Sequence, residues 1–407
     1  MVSVIKRIQQ FNSNRLPDYI PLKYRAMAQD PFYFFRGTAH LFYEDLAPTH
    51  IIPAYPLTWI CGDLHLENFG SYKGDNRLVY FDLNDFDEAC LAPATWEVTR
   101  MVTSICTALN TMGASRDEAA HVAGLYVKAY AQALGKGRSR YIEPQTAQGI
   151  VQAFLTKVAD RKQKELVSER TVKQMGQLVL RIDNKKLFLI EQALKTRLCD
   201  HINNWLQQQF NGHRQYRVID AGFRIAGTGS IGVKRYIFLV ERLDVEGKYL
   251  LIDMKQAMPS VVEPNINIQQ PAWQSEAERV VAVQERMQNI SPALLAATVF
   301  ENESYVIKEM QPTADKIDFS TLKNRYTDIK AVVEDMALLT ASAQLRSSGR
   351  QGAAIADELI AFGRDGSWMQ SIITYVGDYA HQVKKDYQEY FSAYNIGYFT
   401  DSNQTVI

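Results

Sequence analysis

The sequence predicts an α+β fold of two lobes, a large helical one assembled from both ends of the chain and a small β-rich one between them. Three observations lead there. The chain has 407 residues, more than a single hydrophobic core usually serves. Apolar residues recur at helical spacing before about residue 210 and again after about residue 320. Between Arg217 and Glu309 the pattern changes to short β-branched and aromatic runs separated by turn residues.

Composition narrows the partners. Hydrophobic residues make up 46% and charged residues 22% of the chain, and 45 basic residues balance 45 acidic ones. No net field draws in nucleic acid and no basic block suits a membrane surface, so a small molecule or a protein is the expected partner. Cys61, Cys90, Cys106 and Cys199 are scattered, without a CxxC pair or zinc-ligand spacing, and are expected as free thiols. No stretch of about 18 apolar residues occurs, and MVSVIKRIQQFNSNRLPDY is interrupted by charge before an apolar core forms. A soluble, cytoplasmic protein is the expectation.

Taken in order, short helices are expected around Tyr24–Asp45, followed by two apolar segments, Leu57–Cys61 and Arg77–Phe81, each running into a polar, acid-rich loop. From Pro93 to about Phe210 the chain is mainly helical. Val98, Met101, Val102, Ile105, Leu109 and Met112 share a face, and Ser115 with Glu118 forms a capping box for a helix that ends near Gly135. Tyr236–Val240, Tyr249–Ile252 and Tyr305–Ile307 read as strands of a small antiparallel sheet, crossed by a helix over Ser275–Gln288. Long amphipathic helices return between Leu322 and Phe391.

The chemistry is expected on the loops. Cys61-Gly62-Asp63-Leu64-His65-Leu66-Glu67-Asn68 contains Asp-Leu-x-x-x-Asn, the spacing of the protein-kinase catalytic loop. An Asp and an Asn so spaced on one tight loop can face one pocket, where Asp63 orients or deprotonates an attacking hydroxyl and Asn68 offers a neutral oxygen to magnesium. The next segment ends in Asp82-Leu83-Asn84-Asp85-Phe86-Asp87-Glu88, four carboxylates in seven residues. A divalent cation relieves their repulsion, with Asp85 the principal ligand and Asp82 and Asp87 in support.

Gly227-Thr228-Gly229-Ser230-Ile231-Gly232 is neither a Walker loop, since no Gly-Lys-Ser/Thr follows, nor a dinucleotide fingerprint, since a strand rather than a helix comes next. It fits a glycine-rich hairpin whose amides lie over phosphates, with the Ser230 hydroxyl in reach, although Lys234 stands where the kinase pattern has Val. Tyr249-Leu250-Leu251-Ile252-Asp253-Met254-Lys255 is an apolar strand ending in Lys, the setting of the kinase lysine that touches the α- and β-phosphates. Its acidic partner is expected to be Glu278, with Glu276 the alternative. Asp30, Arg36 and Arg279 are candidates to buttress the site.

Gly62 to Asn68 resembles the GDLHxxN loop of aminoglycoside and choline phosphotransferases, relatives of the protein kinases, and Asp85 through Glu97 resembles their metal-binding strand end. The resemblance implies Asp63 as base, Asn68 and Asp85 as metal ligands and Glu97 as a structural acid bracing the loop. Cys61 departs from the His those families often carry. Across most of its length the chain also resembles the bacterial family called domain of unknown function 2252, placed among kinase-like folds. The resemblance rests on Asp30–Gly37, Cys61–Gly70, Phe81–Glu88, Gly227–Gly232 and Glu278–Val281. Near Ala341–Arg346 that family tends to have an Ala-His-Ala-Arg-like run, and here the His is missing.

In ordinary kinases the glycine loop and lysine precede the catalytic loop, and here they follow it. The economical expectation is a bilobal, protein-kinase-like fold that is circularly permuted. Residues 1–210 would form the catalytic-loop part of the helical lobe, 211–312 the small nucleotide-binding lobe and 313–407 the rest of the helical lobe. ATP and Mg²⁺ are then the expected cofactors, and phosphoryl transfer to a hydroxyl of a small molecule or protein is the expected activity. Transfer of AMP on the same fold, a non-catalytic nucleotide-binding module, and a metal-dependent hydrolase using Asp82, Asp85, Asp87 and His65 are the rivals.

Overall fold

A computed structural model describes residues 3–210, 215–310 and 316–399. The expected lobe limits, after 210 and after 312, border or fall on residues outside those described. The chain is α+β. Its N-terminal quarter holds α1 (Val4–Asn12), α2 (Ile20–Met27), α3 (Pro31–Gly37) and α4 (Ala39–Leu46), then β1 (Leu57–Ile60), β2 (Phe69–Lys73), β3 (Val79–Leu83) and β4 (Cys90–Pro93). β1 pairs antiparallel with β4, and β2 with β3, so the two acid-rich loops emerge from adjacent hairpin-like pairs.

Next come α5 (Ala94–Thr111), α6 (Arg116–Lys136), α7 (Gly149–Ala159) and α8 (Gln163–Arg170). α5 is almost wholly buried, including Thr99, Arg100, Thr103 and Ser104. Two of its buried hydroxyls are satisfied by bonding back one turn, Thr99 to the Thr95 carbonyl and Thr103 to that of Thr99. The capping box that opens α6 is present: Ser115 Oγ accepts from the Glu118 amide at 3.2 Å, and Glu118 accepts from the Ser115 amide at 2.8 Å. α6 runs past Gly135, where the sequence suggested an end, and stops with left-handed Gly137.

The remaining elements are β5 (Thr171–Gln174), β6 (Gln177–Leu180), β7 (Leu187–Phe188), α9 (Gln192–Phe210), β8 (Tyr216–Arg224), β9 (Arg235–Arg242), β10 (Tyr249–Gln256), α10 (Glu276–Met287), β11 (Ala296–Phe300), β12 (Glu303–Met310), α11 (Tyr326–Ser347), α12 (Ala356–Asp365) and α13 (Met369–Asn395). A six-stranded antiparallel sheet has the order β11-β12-β10-β9-β8-β7. Its middle strands read as unbroken apolar runs because both faces are covered. Phe238, Val240, Ile252 and Met254 pack with Leu198, Ile202, Trp205 and Leu206 of α9 on one face, while Ile237, Leu239 and Leu251 pack with Val167, Leu180 and Leu187 on the other. The segment from α8 to α9 thus packs on the sheet. The main core joins α1–α7 to α10–α13, so the helical part does draw on both ends of the chain. Among the described residues no helix is long and apolar enough to cross a membrane.

The α6–α12 crossing is close because Gly363 has no side chain. A Cβ there would lie 2.6 Å from the Gly135 amide nitrogen and 2.7 Å from the Ala131 carbonyl oxygen, both backbone atoms that cannot swing aside. Gly363→Ala is expected to cost about 1–3 kcal/mol, the usual range for overpacking. A denaturant midpoint equal to that of the parent protein would contradict this.

Candidate functional site

The first acid-rich loop is shaped at Gly62, which has φ +85° and sits where a Cβ would lie 2.2 Å from the Glu88 carbonyl oxygen. Only glycine lets the two loops touch there. The Tyr43 hydroxyl donates to the Gly62 carbonyl. Just before it, the Cys61 amide donates to Glu97 at 2.6 Å, and the second Glu97 oxygen accepts from Gln344 at 3.0 Å. Glu97 therefore holds the end of β1 against α5 and α11. Burial raises its carboxyl above the ordinary range, with the Cys61 and Gln344 bonds pulling the other way.

Asp63 is held by Arg100, a fully buried guanidinium on α5. Nη2 donates to Asp63 Oδ1 at 2.6 Å and Nε to the same oxygen at 3.0 Å. Arg100 also donates to the Phe35 carbonyl and lies 3.8 Å from the centroid of the Phe35 ring. Nothing in local sequence marks this residue, which lies 37 positions from Asp63.

Asn68 fastens the loops together. Its Nδ2 donates to the Asp63 and Asp85 carbonyls, both at 3.1 Å, and its Oδ1 accepts from the Asp85 amide at 2.8 Å and the Asn84 amide at 3.2 Å. The expected ligand oxygen is thus taken by two backbone amides rather than offered to a cation. Asp82 also departs from expectation. It is buried on β3, where Arg346 of α11 lies 3.3 Å from its carboxylate, and burial raises its carboxyl to about 6 against the pull of Arg346. His65 caps the turn at Leu66–Asn68 through Nδ1, which accepts from the Glu67 amide, and burial together with Arg36 keeps the imidazole neutral.

Asp85 and Asp87 do come together, and the group between them is Lys255. Its Nζ lies 3.7 Å from Asp85 Oδ1 and bonds Asp87 Oδ2. β10 sets this up: pairing with β9 and β12 puts Lys255 opposite Arg235 and Val306 at the end of the sheet that faces the acid loop. The three groups titrate as a unit. Desolvation alone would raise Asp85, but Lys255, Lys308, the Asp87 amide and Arg235 together outweigh it and keep that carboxyl low, whereas burial and the Asp85 charge push Asp87 up. The two acids in turn overcome burial to raise Lys255, which stays protonated.

Glu278 and Glu276 are not the partners of Lys255. Both lie in the first turn of α10, where Glu278 accepts from the Gln274 amide and Ser275 Oγ from the Glu278 amide, while Glu276 bonds Arg279 at 2.7 Å. Buried Arg279 reaches the acid loop instead, donating to the Asp87 carbonyl and the Met258 carbonyl at 2.9 Å and to the Ala89 carbonyl. Asp30 caps α3 by accepting from the Tyr33 amide, and Arg36 pairs with Glu67.

The turn between β8 and β9 brings Gly227 and Ser230 to a cleft that Asp85, Asp87, Lys255, Asn68, Arg235 and Lys308 also line, with a volume of ≈ 340 Å³. Asp253 neutralises part of its cationic wall, bonding Arg235 at 2.7 Å and Arg224 at 2.6 Å. A second cavity, with Gly229, Asp63 and Glu88 on its wall, shares Arg36, Asp85, Asp87 and Ser230 with the cleft. Thr228 is buried, and Gly232 accepts from the Leu16 amide at 2.8 Å. Among the described residues no three His, Cys, Asp or Glu side chains form a ready metal cage. The carboxylates of Asp85 and Asp87 are the pair in the cleft that could hold a magnesium ion.

This is an α+β protein whose helical part and sheet meet at an ion-paired cleft beside a glycine-rich turn. It belongs to the bacterial family DUF2252, uncharacterized proteins conserved in bacteria, whose model matches residues 15–393. No curated protein and no solved structure is significantly similar to it.

Glu88 gives the site a pH signature. Burial raises its carboxyl to about 7, the Val261 amide opposing and the charges of Asp87 and Asp63 adding. A carboxyl whose folded value exceeds its unfolded one stabilises fully below the unfolded value, and that contribution is lost as pH rises from about 4.5 to about 7. Glu88→Gln should therefore flatten the decline in melting temperature across that window. An unchanged profile in a pH series of thermal melts would refute the assignment.

Proposed function

We propose that this protein is an ATP- and magnesium-dependent phosphotransferase with a circularly permuted, protein-kinase-like fold, acting in the cytoplasm on the hydroxyl of a small molecule or protein. One observation carries the reading. Lys255 and the Asp85–Asp87 pair, 170 residues apart in the chain, share one cleft beneath Gly227 and Ser230, and Asp63 hangs beside them from the Asn68 staple. Nucleotide phosphates have somewhere to lie there, because Lys255, Arg235 and Lys308 line the cleft and glycine-turn amides can lie over them.

Asp85 and Asp87 would hold magnesium, which would supply positive charge against that developing on the phosphate oxygens. Lys255, released from part of its present pairing, steadies the α- and β-phosphates. Asp63, oriented by Arg100, takes the acceptor's hydroxyl proton. The acceptor oxygen bonds to the γ-phosphorus, and the bond to the β–γ bridging oxygen breaks with its electron pair leaving on ADP.

Thermal shift with ATP, with and without magnesium, is the direct test, since a ligand at 100 times its dissociation constant stabilises by about 2.7 kcal/mol. Asp63→Asn should leave that shift in place and lower transfer from γ-labelled ATP by about 10²–10⁴-fold, the range for a general base. Asp85→Ala should erase the magnesium-dependent part of the shift. Wild-type transfer by both variants would refute the reading, and label appearing in the product only from α-labelled ATP would replace phosphoryl transfer with AMP transfer.

A further inference from the structure

The second cavity holds charges that the proposed chemistry does not use. It has a volume of ≈ 60 Å³ and lies between the N-terminal helices and the glycine turn, room for a phosphate-sized group rather than a polypeptide. Lys23 of α2 lines it and is wholly buried. Its ammonium donates to the Gly229 carbonyl at 3.3 Å and lies 5.1 Å from the centroid of the Phe11 ring. Arg15, also on the wall, donates to the Ile231 carbonyl at 2.8 Å and lies 5.3 Å from the same centroid. Among the described residues neither cation has a carboxylate within ion-pair distance, although every other charged group on this wall except Glu88, which accepts from the Val261 amide, is ion-paired: Arg36 with Glu67, Asp63 with Arg100, Asp85 and Asp87 with Lys255.

Burying Lys23 and partly burying Arg15 is costly when the carboxylates that act on them, Glu88 and Asp63 on Lys23 and Glu88 and Asp87 on Arg15, do so only from beyond contact distance. The cost is sensible at a place that an anion is built to fill. Burial lowers Lys23 well below its ordinary value, with Arg15 adding to the effect, so the ammonium gains most from a bound anion. Neighbouring His40, stacked 3.9 Å from Phe11 with both ring nitrogens buried and without partners, is held neutral by burial and by Lys23 and competes for no anion. The segment that carries these cations is fastened to the turn, the Leu16 amide donating to the Gly232 carbonyl at 2.8 Å.

We infer that this cavity is the acceptor's anion subsite, and that the substrate is a small hydroxyl compound carrying a phosphate or carboxylate group, which Lys23 and Arg15 grip while its hydroxyl faces Asp63. The inference rests on the phosphotransferase reading for the word acceptor, but the anion site stands on its own cations. It favours a small molecule over a protein as substrate, since the cavity is closed on one side by α1–α3.

The test is calorimetric titration of inorganic phosphate, and separately of sodium acetate, into the full chain already saturated with magnesium and a non-hydrolysable ATP analogue. Phosphate, acetate or both should bind, which tells the two headgroups apart, and uncharged glycerol should not. Lys23→Met, which keeps the stem on Phe11 and removes a buried charge, should weaken anion binding at least tenfold while leaving the analogue's affinity within twofold. Arg15→Gln is the second variant and should act in the same direction. Binding of neither anion, unchanged binding in both variants, or displacement of the analogue by phosphate would each overturn the inference. Should the analogue itself not bind, the ATP reading fails alone, and the same titration into the unliganded chain decides the anion site.

Discussion

The arrangement of the cleft depends on two carboxylates being tolerated side by side. Asp85 and Asp87 lie on one tight segment, and a third charge has to come from elsewhere to keep them there. Lys255 supplies it from the sheet. At 3.7 Å, with an effective dielectric near 20, such an attraction is worth about 4 kcal/mol, and less for half-exposed Asp85. The value matters less than the direction. The ion pair ties the sheet to the acid loop at one point, and the register of β10 against β9 and β12 decides where that point falls.

Around it the two loops behave as one piece. Asn68 spends its whole amide on them, bonding backbone groups of Asp63, Asn84 and Asp85. Gly62 lets them touch, Glu97 anchors the strand that leads in, and Arg279 holds the segment that leads out. A buried polar network of this kind is rigid when every member is satisfied, and it specifies a single geometry. Asp63, Asp85, Asp87 and Lys255 face the cavities, Glu97, Asp82 and Arg279 build the frame behind them, and Asn68 lines the cleft while fastening that frame.

Much of this was legible in the sequence where a local rule applied. β9 and β10 announce themselves as apolar runs, α6 by its capping box, and the acidic loop by four carboxylates in seven residues. What failed did so for physical reasons. Glu278 has the sequence context of a helix cap, Ser275-x-x-Glu278, so its carboxylate is satisfied at the start of α10 and has none to spare for Lys255. Asp82 looks like Asp85 in one dimension, but it sits within β3 and is buried beside Arg346, whereas Asp85 lies on the loop beyond the strand. Arg100, Gln344, Lys23 and Arg15 carry no spacing signal at all, because each meets its partners across a core that only folding assembles. β2 and β7 were missed because each is short and buried by its neighbours rather than patterned on its own.

The order of elements along the chain has a consequence for synthesis. The acid loop leaves the ribosome 170 residues before the lysine that neutralises it. At about 5–20 residues per second, that is a wait on the order of 10–30 s. α5 and α6 are exposed for longer still, since α11, which carries the Gln344 partner of Glu97, is made after the whole sheet. The nascent N-terminal half therefore emerges with buried-type polar groups and apolar helix faces still unmatched, which is the circumstance in which chaperones find their substrates. The protein's yield in a cell should consequently track chaperone supply more closely than its final stability.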